Sequence, residues 1–228
     1  MYLSIRHLVS MSLALSLVLV FASPLQADND NQKLFAFDEH YWVLFYDLPS
    51  RRFRAIRDVF IKQEFESASR DLRVTENYLL IESTRASPLV KERLVLVAEK
   101  LATTANNIDQ LEVTLSTLDA LFARSHWLLS QHYLELALIS RDTQQHRNCA
   151  YYLMATAHHV ERSILWSNQR VEPKTLAALD SIWKLSNELL ESKTPKNVYK
   201  ERPVKKAWAL IQQTGQFLDR KVIIDPKP

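Results

Sequence analysis

Five of the seven histidines fall between His126 and His159, and imidazole is the side chain best suited to bind a metal or move a proton near neutral pH. Two of them lie in "RSHWLLSQHYLELA", residues 124–137, and two more are adjacent in "ATAHHVERS", residues 155–163. If the turn between these segments centres near residue 142, antiparallel pairing puts positions whose numbers add to about 284 at one height. His126 then faces His158, with Glu161 about one turn further along and Met154 four residues before His158 on the same side. Imidazole with thioether suits copper, and a Met/His pair suits haem held inside a bundle. His126, Met154, His158 and Glu161 are therefore the candidate metal or cofactor ligands. His132 and Glu161 would sit roughly 13 Å apart in height at 1.5 Å per residue, so "HYLE" and "HHVE" do not form one paired site. The competing reading makes His132 a core histidine beside Leu129 and Leu136, its nitrogens satisfied internally, and turns His159 out to solvent.

A second cluster is cationic. "SRRFRAIRD" concentrates Arg51, Arg52, Arg54 and Arg57 in the first turns of a helix, an end where the macrodipole disfavours positive charge. An anionic partner, such as membrane headgroups or an acidic protein, would offset that, which makes these four arginines the candidate anion-binding residues. The competing reading is a solvated face balanced by Asp47, Asp58 and Glu201. Catalytic constellations are missing: one glycine precludes G-x-S-x-G, H-E-x-x-H is absent, and no serine or cysteine has an identifiable base and orienting acid. A non-catalytic protein is the expectation, with no resident cofactor unless the histidines bind copper or haem.

The elements that must position these residues are read from composition and period. Average glycine usage of about 7% would place about sixteen in this chain, and it has 1. Hairpin turns and phosphate-binding loops lean on glycine at positive φ, so a β-rich fold or a nucleotide loop is disfavoured. Apolar positions at spacings of three and four predict helices over about 37–49, 50–62, 65–82 and 88–104. Pro49 closes the first, Ser50 caps the second, and Ser87–Pro88 opens the fourth. The longest amphipathic stripe runs from Leu111 through Leu118, Phe122 and Leu129 to Ile139, and its partner helix covers about 145–168. Two further helices open at Pro173 and Pro203. The fold class is all-α, with antiparallel helical hairpins forming one bundle-like domain of about seven helices. The segments "IKQEFESASRDLRVTENYLLIES" and "ISRDTQQHRNCAYYLMATAHHVERS" both read as helix end, charged turn and long helix, with Leu72 falling on Leu153 and Ser67 on Asn148. A duplicated hairpin is one explanation; the tetratricopeptide pattern does not fit.

Arg6 and His7 precede an uncharged apolar run, residues 8–22, followed by "SPLQAD". That is the pattern of a signal peptide over 1–27, and it predicts a periplasmic or secreted domain over 28–228. Removing Arg6 and no acid lowers the net charge from +3 to +2, which disfavours nucleic acid as a partner. The expected partner is an unknown protein or small ligand in the cell envelope, with peripheral contact to anionic membrane as a further possibility. Cys149 is the sole cysteine, so no intrachain disulfide forms and the thiol is expected to be a buried small hydrophobe.

Overall fold

The computed structural model describes residues 46–110, 113–192 and 200–224, with side chains through Arg220. The expected leader over 1–27, and all but the end of the expected helix over 37–49, lie outside them. Among the described residues the secondary structure is all-helical, with seven helices and no strand. They are α1 (Leu48–Ile61), α2 (Phe65–Ser83), α3 (Pro88–Asn106), α4 (Leu115–Asp142), α5 (His146–Trp166), α6 (Pro173–Glu191) and α7 (Glu201–Ile224). Prolines open α1, α3 and α6 within the first turn, where a missing N–H costs nothing. Pro49 therefore starts a helix and does not end one. Ser50 is correspondingly inside α1, and Asp47 stands at the cap position without a side-chain capping bond.

Three of the connections are the same turn. After α1, α4 and α5 the chain passes through one residue at positive φ: Gln63 at 62°, Gln144 at 61° and Asn168 at 53°. In each turn the next N–H reaches back five residues, Glu64 to Val59, Gln145 to Ser140 and Gln169 to Ile164, satisfying helix-end carbonyls. The turns after α1 and α4 correspond residue for residue in the two segments with an internal echo. The likeness continues into α2 and α5, where Leu72 and Leu153 are buried and Thr75 and Thr156 bond the carbonyls of Asp71 and Tyr152. Glycine is dispensable here because one left-handed residue per turn is within reach of Gln and Asn, at a cost of about 1–2 kcal/mol each.

Helices adjacent in the chain pack on one another, and α4 is where the packing converges: α5, α3, α7 and α1 all contact it. The sequence pattern gives α4 a single apolar stripe, yet every residue from Ser125 to Ser130 is buried. Its serines make this possible, because Ser125 and Ser130 bond back to the carbonyls of Leu121 and Trp127 and let neighbours approach closely. On α1, Phe53 stacks against Phe122 of α4 with centroids 4.1 Å apart. On α6, Leu179, Ile182 and Leu185 are buried and Leu176 is exposed.

Candidate functional site

Two features of the fold carry polar chemistry, a buried histidine layer and a basic groove. The layer begins with His126 of α4 and His159 of α5, whose Nδ1 atoms are 2.9 Å apart, both side chains being fully buried. The expected partner of His126 was His158, and the expected place of His159 was in solvent. Both expectations fail for one reason: the facing positions add to 285, not 284, and one residue turns a helix by 100°. For the Nδ1 atoms to bond, one ring must carry its proton at Nδ1 and the other at Nε2. Burial, with the nearby charge of His158, Arg162 and neighbouring imidazoles, holds both well below the usual histidine range, so both are neutral at pH 7.

Tyr133 stacks on His159 with centroids 5.3 Å apart and planes 9° from parallel, and its hydroxyl is 2.7 Å from that of Tyr78 on α2. One residue before it on α4, His132 is buried as expected of a core histidine, its Nε2 2.9 Å from Glu82 Oε2. Burial pushes the Glu82 carboxyl up, but the His132 hydrogen bond and the Arg85 guanidinium, which donates to both carboxylate oxygens, outweigh it and hold the carboxyl below its ordinary range. His158 lies at the edge of the layer. Its Nε2 is 2.7 Å from Ser50 Oγ and 3.2 Å from Asp47 Oδ1, and burial lowers its pKa to about 4 despite Asp47. Ser50, read from the sequence as a cap, thus serves α5 instead.

The four candidate metal ligands have different surroundings. His126 bonds His159, His158 turns to α1, Met154 is half-buried and Glu161 is exposed. Among the described residues, no group of three or more His, Cys, Asp or Glu side chains could hold a metal ion. Cys149 is buried and its thiol is pushed up to about 12 by that burial, so it is a packing group and a poor nucleophile. The candidate anion-binding arginines are largely engaged: Arg51 with Asp47 at 3.4 Å, Arg52 with Asp71 at 2.9 Å and Arg57 with Asp119 at 3.3 Å. Arg54 is exposed with no acid within 4.0 Å among the described residues. Of the acids expected to balance this face, Asp47 does so; Asp71 of α2 and Asp119 of α4 are supplied by the fold.

The groove was not anticipated. It lies between α3 and α4, encloses about 700 Å³, and is floored by Val97, Leu121, Trp127 and Leu128. Its rim carries Arg93 and Lys100 from α3 and Arg124 from α4. Trp127 is fixed from below by α7: its indole N–H donates to the Ile211 carbonyl at 2.8 Å, and its ring lies against Gly215, where a Cβ would come within 2.6 Å. The one glycine thus serves close approach inside a helix, not a turn. The guanidinium carbons of Arg93 and Arg124 stand 6.0 and 5.2 Å from the Trp127 ring. The available signal was a shared one, cations and apolar residues at spacings of three and four on both helices, which reads equally as two solvated faces. Comparison with protein-family models, with curated proteins and with solved structures finds no match for this chain.

Proposed function

We propose that the protein is a non-catalytic helical binding protein of the cell envelope, directed there by its N-terminal apolar segment, with its ligand seated between α3 and α4. The observation that carries this is the groove: about 700 Å³ falls within the 300–1,000 Å³ typical of small-ligand sites, over a tryptophan held rigid from below. The histidine layer supports a structural use of its polar groups, since His126, His132 and His159 are fully buried and engaged with His, Glu and Tyr neighbours. The test is titration of the mature chain with the apolar anion anilinonaphthalene sulfonate, compared with a Leu96→Glu variant at the groove lip, where Leu96 is half exposed. One site in the parent, weakened about tenfold or more in the variant, supports the reading. Absence of binding, or equal binding by the two proteins, refutes it.

A metal- or haem-binding bundle is the second reading, favoured by one observation: Nε2 of His126, Nε2 of His159 and Nδ1 of His132 are buried without a hydrogen-bond partner. Elemental analysis and an absorption spectrum of the exported protein decide it, repeated after His126→Ala, His158→Ala and His159→Ala. Stoichiometric copper or haem iron that these substitutions remove supports it; a metal-free parent eliminates it.

A further inference from the structure

The groove is assembled from two matching stripes. On α3 it runs from Arg93 to Thr104 and on α4 from Thr117 to Leu128, eleven residue steps on each, so it is about 16 Å long. The helices run antiparallel, as the approach of Arg93 to Trp127 shows, so the Thr103–Thr104 end of one lies beside Thr117 of the other.

Charge is unevenly spread over that length. Arg93 and Lys100 have no acid within 4.0 Å among the described residues, and Arg124 pairs with Asp219 at 2.8 Å, an acid whose side chain is 63% exposed. Three cations against one carboxylate leave the rim two charges in excess. The Trp127 ring attracts the two guanidinium groups without neutralising them. Arg93 and Arg124 meet at the Trp127 end, Lys100 stands seven residue steps, about 10 Å, further along, and at the threonine end two hydroxyls are already used: Thr103 Oγ1 donates to the Glu99 carbonyl at 2.9 Å, and Thr117 Oγ1 lies 2.9 Å from Thr114 Oγ1. The floor between is apolar.

Resting on the binding reading above, we propose that the groove takes a single-chain anionic amphiphile of the fatty-acid class. Its carboxylate lies between Arg93 and Arg124 beside the Trp127 ring, and its acyl chain runs from there along Val97 and Leu121, with Lys100 on the rim alongside, toward the threonine end. A carboxylate supplies the charge the rim lacks, by displacing or sharing the exposed Asp219. An acyl chain covers the floor without requiring hydrogen bonds there. A folded protein partner fits less well, because the groove exposes far less than the roughly 800 Å² per side that a stable interface buries.

The experiment is calorimetric titration of the folded mature chain with dodecanoate, dodecanol and dodecyltrimethylammonium, each below its micelle concentration, with displacement of anilinonaphthalene sulfonate as a second readout. Dodecanoate is expected to bind one site and displace the dye, with dodecanol about tenfold weaker or worse and the cationic amphiphile weaker still. Arg93→Gln/Lys100→Gln, two exposed positions whose replacement leaves the core untouched, is expected to weaken dodecanoate about tenfold with unchanged circular dichroism. Equal affinity for dodecanol and dodecanoate, no effect of the double variant, or displacement of the dye by acetate as well as by dodecanoate overturns the proposal. Dye bound in the groove but not displaced by dodecanoate removes this inference and leaves the binding reading standing; no binding of either probe removes both.

Discussion

His126, His158 and His159 place three basic groups where charge is disfavoured, and the consequence is a pH dependence with a definite sign. Their folded pKa values lie below the unfolded value of about 6.5, so the unfolded chain takes up protons first as pH falls. The stability they permit is complete above about pH 6.5 and is lost on acidification through the window toward about 4, where His158 itself titrates. Each group adds a slope of at most about 1.4 kcal/mol per pH unit in that window. Urea unfolding from neutral to mildly acid pH is therefore expected to show steeply falling stability, with a shallower slope in a His126→Leu/His159→Leu variant whatever its absolute stability. An unchanged slope would show that these imidazoles are charged in the native state. Gly215 makes the second residue-scale prediction. Alanine is the better helix former by about 1 kcal/mol, yet its Cβ would meet the rigid Trp127 ring at 2.6 Å. Gly215→Ala is expected to cost about 1–3 kcal/mol in denaturant unfolding and to shift the tryptophan emission.

The helices were legible because their apolar positions recur at helical spacing and their starts are marked by proline, and α2, α3 and α5 end within two residues of the expected positions. Turns were less legible. Gln63, Gln144 and Asn168 carry the left-handed conformation that glycine usually supplies, and nothing in a glutamine announces it. Replacing Gln144 by glycine should raise stability by about 0.5–1 kcal/mol, measured by thermal unfolding, because the steric cost at φ 61° disappears and exceeds the added entropy of the unfolded chain. Ser50 shows the converse limit. A serine after a proline resembles a cap, and only the arrival of α5 gives its hydroxyl to His158.

Across the whole molecule, stability is expected to be graded around α4. Amides of its central turns, from Leu121 to Leu136, sit among buried side chains and under four neighbouring helices. Hydrogen exchange is expected to be slowest there and in the Cys149–Val160 part of α5, and fastest at the outer ends of α1 and α7. Uniform protection across all seven helices would show instead that the bundle opens only as one unit. The sequence alone was sufficient for the helices, their hairpin order and the burial of His132, because a helix face is set by residues three and four apart. It was not sufficient for which histidine meets His126, which acids answer Arg52 and Arg57, or that α3 and α4 leave a basic groove over Trp127. Those depend on contacts between distant segments, where a shift of one residue rotates a side chain by 100°, and only packing of the helices against one another selects the register.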